Sequence, residues 1–334
     1  MNRKHINDLW QKAEDALRAL YGDMPDLFIL NRFYSEKMAF FGSDVIISWA
    51  RVGEICREAA SRNHLAMVRG TVGSCFTAYL LGATENNPLP LHYRCPKCKS
   101  TELVDNEKAL PFDLPTKACT CGEVMHPDGF DIPYETNLVN LRLPRLSIVV
   151  SSDFFSEAVR MVFDYPSITI VAKGNTEENA RMKEAVGLAK PKTAYEMLKV
   201  LSALHGTGTW LDNAQRLVKA GVGIADIPTS RDDMFMLLRD KLKVAGYNDN
   251  GIAYELTERI RHGRLDANSR LILSSLDLPE WFMDYVENIR YMFPKSHSVS
   301  CLGEALAFMR FKPCFMAELD SLMRKKAAKA RRMH

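Results

Sequence analysis

The chain opens on a helical rhythm. Leu9, Ala13, Leu17 and Leu20 recur at intervals of three and four among polar residues, which predicts an amphipathic helix over residues 1–22. "YGDMPD" interrupts it, and the pattern resumes over 28–62. There Val45, Trp49, Val52 and Cys56 form one stripe, with Ser43 as candidate N-cap. "HLAMVRGTVGSCFTAYLLGA" changes the period: an apolar run, a turn with two glycines and a second apolar segment predict strand, turn and helix. Helical periodicity is then lost in a stretch rich in Pro, Cys, Lys and Asp, which marks a small inserted module. Beyond it "LSIVV" and "SITIV" predict strands, with "SEAVRMVF" as a helix between them.

From Lys190 the helical period returns and holds. "PKTAYEMLKVLSAL" carries a possible capping box, Thr193 with Glu196. "PEWFMDYVENIRYMF" puts Phe282, Val286 and Ile289 on one face. Strands and helices are thus segregated along the chain, which is the α+β class. The expected division is 1–88, a cysteine-rich module at 89–135, a second mixed segment at 136–189, a helical domain at 190–315 and a basic tail at 316–334.

Composition adds little to this. A chain of 334 residues with 47% hydrophobic and 25% charged residues is ordinary for a globular protein of two to three domains. A net charge of +3 does not by itself imply nucleic acid. The distribution says more, because Arg324, Lys325, Lys326, Lys329, Arg331 and Arg332 crowd the last residues without an acid among them. Such a run is either a solvated tail or a salt-sensitive grip on a phosphate backbone. No run of about 20 apolar residues suggests a membrane span, and the first residues lack the apolar middle of a signal peptide. A cytoplasmic protein without membrane partners is expected.

Two short motifs carry candidate chemistry. "CPKC" and "CTC" supply Cys95, Cys98, Cys119 and Cys121, two thiolate pairs about 20 residues apart, as a closed tetrahedral zinc site requires. The second pair is tighter than the usual knuckle, and His126 is an alternative to one of its thiolates. Four protein ligands leave no open position, so this Zn2+ is expected to be structural. In "VRGTVGSCF", Arg69, Gly70, Thr71, Gly73 and Ser74 stand between strand and helix, where amides, hydroxyls and a guanidinium suit a phosphate. Two glycines are also common in any turn.

Together these motifs resemble the C-family bacterial replicative DNA polymerases, in their PolC form. "VRGTVGSCF", "NPLPLHYRCPKC", "FDLPTKACTCG", "DGFDIPYET", "HGTGTWLDNAQ", "RDD" at Arg231–Asp233 and "PEWFMDYVENIRYMFPKSH" occur in that family's order over about residues 20–315. The resemblance implies a reduced palm-like sheet with a zinc-stabilised insertion, followed by a mostly helical fingers-like domain. It covers the family's palm and fingers and not its exonuclease, phosphoesterase-like or C-terminal parts. It also implies that the glycine turn faces a triphosphate, that Lys295 and His297 approach phosphate, and that His205 approaches the template. Trp210, Trp281, Tyr291 and Phe293 are expected in the core rather than against bases.

One strand departs from the family. Where the family has two metal-holding aspartates, P-D-I-D, this chain reads "PRLSIVVSSD" from Pro144, with Arg145 and Ser147 at the aspartate positions and Asp153 at that of a glutamate. A two-metal site needs carboxylates to offset four positive charges, and Arg145 changes the balance by two units the wrong way. Mg2+ and polymerase activity by this chain alone are therefore not expected. The expected function is an inactive PolC-like protein that binds DNA, a nucleotide or the replication machinery, as accessory factor or inhibitor. The alternative is one subunit of a split polymerase whose carboxylates come from a partner chain. A surviving enzyme of altered chemistry and a scaffold that touches only proteins are the remaining classes.

Overall fold

The computed structural model describes residues 3–40, 42–62, 64–133, 146–150, 154–172 and 177–311. Helices α1 (Arg3–Tyr21), α2 (Leu27–Ala39) and α3 (Val45–Ser61) lead into strand β1 (Ala66–Arg69) and the short helix α4 (Phe76–Leu80). Strands β2 (His92–Arg94), β3 (Thr101–Leu103), β4 (Lys117–Ala118) and β5 (Val124–Asp128) follow. Then come β6 (Leu146–Val150), α5 (Phe155–Met161) and β7 (Ile168–Ala172). The rest is helical: α6 (Glu177–Ala189), α7 (Ala194–His205), α8 (Gln215–Lys219), α9 (Arg231–Val244), α10 (Asn250–Arg261), α11 (Ala267–Ser274), α12 (Phe282–Asn288) and α13 (Lys295–Phe311).

The class is α+β, with two small sheets among the described residues. In the first, β6 lies between β1, to which it is antiparallel, and β7, to which it is parallel. Its two faces differ. Val68, Leu146, Ile148 and Val150 enter a core with Leu9, Ala13 and Leu17 of α1 and Trp49 of α3. Met67, Arg69, Ser147 and Val149 alternate with them and point the other way. The helical stripes of α1 and α3 face the core as the periodicity predicts, while Cys56 is half-buried. The N-cap of α3 is Asp44 rather than Ser43, whose hydroxyl instead accepts the Val45 N–H at 3.3 Å from one residue further out.

The cysteine-rich stretch builds the second sheet, antiparallel in the order β3-β2-β5-β4. Its own apolar cluster is small: Tyr93, Cys95, Cys119 and Met125, with Val104 and Leu114 against them.

The helical region has a separate core around Trp210, Met234, Leu238, Phe282, Tyr285 and Ile289. At the start of α7 the Thr193 hydroxyl accepts the Glu196 N–H at 3.0 Å, but the Glu196 carboxylate takes the Lys192 amide, so only half of the capping box forms. "HGTG" is explained by a close crossing of two backbones. Thr207 bridges to Tyr291, and Gly208, at φ +71°, lies where a Cβ would sit 2.1 Å from the Asn288 carbonyl oxygen. The last helix, α13, turns back to the first sheet, with Gly303 beside Met67. A third cluster, with Leu110, Ile132, Leu198, Leu201, Val299 and Leu302, joins the parts. Among the described residues no helix is long and apolar enough to cross a membrane.

Candidate functional site

The four cysteines converge. The sulfurs of Cys95, Cys98, Cys119 and Cys121 all lie within 4.8 Å of one another, with Cys95–Cys121 and Cys98–Cys119 each at 3.5 Å. Tetrahedral zinc with Zn–S bonds of about 2.3 Å puts its sulfurs about 3.8 Å apart, so the donor set fits. Two tight turns make the fit. Lys99, at φ +65°, lets the Cys98 amide donate to the Cys95 sulfur. Cys119 N–H donates to the Glu123 carbonyl at 2.7 Å, which closes the second turn despite its shorter spacer. The backbone at Cys121 and the Ser100 hydroxyl hold the Cys119 thiol down at about 6, which favours the thiolate a metal needs. His126 is exposed on β5 and stands outside this group. The cluster can hold a metal and is consistent with zinc.

Beside this module His92 is buried, its Nδ1 donating to the Pro90 carbonyl at 2.7 Å and its Nε2 accepting from the Tyr21 hydroxyl at 3.1 Å. Burial pushes its pKa below the ordinary value of 6.5. A depressed folded-state pKa means that the unfolded chain takes up the proton first. The neutral ring's contribution is therefore complete above about pH 6.5 and lost as pH falls towards the folded pKa. Urea unfolding at pH 7.5 and 5.5 should show a smaller loss of stability for His92→Gln than for wild type. Equal losses would remove His92 as the source.

The glycine turn is arranged differently from a ready phosphate cradle. Gly70, at φ +101°, carries the chain from β1 into a 3-10 turn, Thr71–Ser74, and then into α4. The anion at this helix start is internal. The fully buried carboxylate of Glu36 accepts the Phe76 and Thr77 amides, each at 2.8 Å, and Arg32 Nε at 2.8 Å. Arg32 also donates to the Ser74 and Ile132 carbonyls. Ser74 is buried, its hydroxyl donating to the Thr71 carbonyl at 2.7 Å, and Gly73 is buried too. Gly70 and Thr71 are half-buried. Arg69 pairs in two-pronged fashion with the buried Glu304 of α13, at 2.7 and 2.9 Å.

Ser147 lies directly opposite Arg69 in register, and Thr169 opposite Ser147. Paired residues share a face. Arg69, Ser147 and Thr169 thus form one row across the sheet, next to a second row of Met67, Val149 and Val171. None of these six is a carboxylate. Thr169 and Val171 are exposed. Arg145, Asp153 and the six basic residues from Arg324 to Arg332 lie outside the described residues.

The residues expected near phosphate or template meet at the start of α13. Lys295 Nζ donates to the Asp131 carbonyl at 2.9 Å, and its amide to Asp232 at 2.6 Å. His297 stacks on Phe293 at 4.3 Å and meets His205 edge-on at 5.4 Å. Burial, then the neighbouring His205 and Arg69, bring the pKa of His297 down to about 4. In "RDD", Asp233 caps α9 and pairs with the buried Lys199 at 2.7 Å, a role in packing. Trp210 is buried, whereas Trp281, Tyr291 and Phe293 are half-buried. Periodicity did not single out Glu36, Glu304 or Cys301. A lone acid amid small and apolar neighbours, as at Glu304 in "CLGEALAF", is the signal that points to such a partner.

No protein-family profile matches this chain. Its similarities are to DNA polymerases. Three relatives are described as DNA polymerase III PolC-type. That of Staphylococcus aureus (strain MW2) is 31% identical over 88% of this chain and 31% of its own length. That of Streptococcus suis (strain 98HAH33) is 31% identical over 64% of this chain and 15% of its own. That of Thermotoga petrophila is 21% identical over 90% of this chain and 34% of its own. The chain spans about a third or less of these relatives. The Thermotoga alignment takes 469 positions to cover 90% of a 334-residue chain, so the relative carries stretches without a counterpart here.

Proposed function

We propose that this is a catalytically inactive PolC-like protein that binds DNA, a nucleotide or replication proteins, as accessory factor or inhibitor of DNA replication. One observation carries the reading. The sheet face where a palm would gather carboxylates presents Arg69, Ser147 and Thr169, and the nearby Glu304 is already engaged by Arg69. Two Mg2+ ions bring four positive charges and need hard anionic oxygens. This donor set, a guanidinium and two hydroxyls, does not fit them.

On this reading residues 1–88 and 136–189 make the palm-like part and 89–135 a module held by Zn2+ on Cys95, Cys98, Cys119 and Cys121. Residues 190–315 are the fingers-like part, and 316–334 a basic tail for the phosphate backbone. Zinc supplies cross-linking and no chemistry, because four thiolates fill its coordination. Of the groups proposed for phosphate or template contact, Arg69, Gly70, Thr71, His205, Lys295 and His297 are half-buried, while Gly73 and Ser74 are buried. The open edge at Thr169 and Val171 favours a second reading, in which a partner chain lays its own carboxylates over this face as the other half of a split polymerase.

Primer extension beside DNA binding tests both. The wild-type chain should not extend a primer with Mg2+ or Mn2+, and should bind primed DNA with an affinity that falls steeply with salt. Extension by the chain alone would overturn the proposal. Activity gained only with a second polypeptide would select the split enzyme. The double variant Arg145→Asp, Ser147→Asp tests whether two carboxylates at these positions are enough to recover extension.

A further inference from the structure

Among the described residues a second group of metal-ligating side chains stands apart from the four cysteines. His205 ends α7, while His297 and Cys301 sit one turn apart on α13. One ligand atom from each lies within 4.8 Å of the other two. The Cys301 sulfur is 3.6 Å from His297 Nε2. A tetrahedral zinc ion with Zn–S of about 2.3 Å and Zn–N of about 2.0 Å separates such a pair of donors by about 3.5 Å. That edge of the site already has coordination spacing.

Ring orientation supports the same use. A carbonyl oxygen only accepts, so the 2.7 Å contact from His205 Nδ1 to the Leu201 carbonyl fixes the proton on Nδ1. The lone pair of the neutral ring is then on Nε2. A ligating histidine is held in this way, with its second nitrogen donating to a carbonyl. Phe293 stacks on His297 at 4.3 Å and 21°, which sets the plane of that ring. The spacing of His297 and Cys301, i and i+4, puts both donors on one side of a helix. Cys301 is buried, and both histidines are half-buried.

We propose that His205, His297 and Cys301 form a second metal site that takes Zn2+, tying the end of α7 to the first turns of α13. Two imidazoles and a thiolate are the donors of a borderline-soft divalent cation and not of Mg2+. Three protein ligands leave one position for water or an anionic group. The site is independent of polymerase ancestry and of the reading above, because it rests on three side chains and their geometry.

Metal content of the full chain purified with Zn2+ is the test. Wild type should hold about one zinc ion per chain more than Cys301→Ser or His205→Ala. Titration of the metal-free wild-type chain with Co2+ should give two sets of visible bands, one for four thiolates and one for mixed nitrogen and sulfur. Only the second should vanish in Cys301→Ser. If that variant does not fold, by its circular dichroism and melting, the Co2+ bands of wild type decide alone. Equal zinc content in wild type, Cys301→Ser and His205→Ala, or a single thiolate-type band set, would overturn the proposal and leave Cys301 and His297 as a hydrogen-bonded pair.

Discussion

Glu36→Ala should cost about 3–5 kcal/mol of folding stability, the range for breaking a buried charge pair by removing one partner. The carboxylate is fully buried and serves three donors at once: the Phe76 amide, the Thr77 amide and Arg32 Nε. Its loss leaves two helix-start amides without this acceptor and takes a carboxylate away from the Arg32 guanidinium. Water cannot easily replace it, because Ile29 and Phe33 of α2 and Phe76 of α4 are buried around the same turn. A total stability of about 5–15 kcal/mol is usual for a domain, so this single change removes a large share. Glu36→Gln keeps the shape and one acceptor oxygen and should cost less, about 1–3 kcal/mol. Urea midpoints with unchanged slopes give both numbers. A loss below about 1 kcal/mol for Glu36→Ala would mean that the pair does not hold the glycine turn.

Removal of metal from the four-cysteine cluster should have the other large effect. Structural zinc in small modules binds with apparent free energies of about 10–16 kcal/mol at neutral pH, and that binding is folding free energy. The module is expected to depend on such an ion for a visible reason. Its strands are two to five residues long, and its own apolar cluster is small, with two of its four buried members cysteines. Without the ion, four sulfurs packed within 4.8 Å have no common partner. A chelator strong enough to strip the protein should make residues 89–135 the first place of proteolytic cleavage, while the helical region stays protected. Cys98→Ser should produce the same pattern without chelator. Cleavage elsewhere first, with metal loss verified, would show that the sheet β2–β5 stands by packing alone.

The two effects bear differently on function. Glu36 shapes the turn that the resemblance associates with a triphosphate, and it supplies that turn with a protein anion. The cysteine cluster holds a module distant in sequence from the α13 residues. A DNA-binding assay on Glu36→Gln and on the chelated protein therefore separates a contribution of the turn from one of the module.

The amino-acid sequence by itself determined much of the local structure. A 3.6-residue period was enough for α1, α3 and α7, and short β-branched apolar runs were enough for the strands β6 and β7. The cysteine spacing was enough to pick out the four residues whose sulfurs converge, Cys95, Cys98, Cys119 and Cys121. The wording of the motifs was enough for the PolC likeness, which the relatives bear out.

Only the tertiary structure decided what long-range contacts control. Ser147 faces Arg69 because β1 and β6 pair across some 80 residues of sequence, and no local pattern encodes that register. Glu304 meets Arg69 from a helix 235 positions away. Glu36 fills the start of α4 from a helix whose own periodicity shows nothing unusual at that position. Cys301 comes beside His205 only because α13 turns back past the end of α7. Such pairs are selected by the packing of elements already formed. Periodicity reports which face of an element is buried, and it does not report which other face it meets.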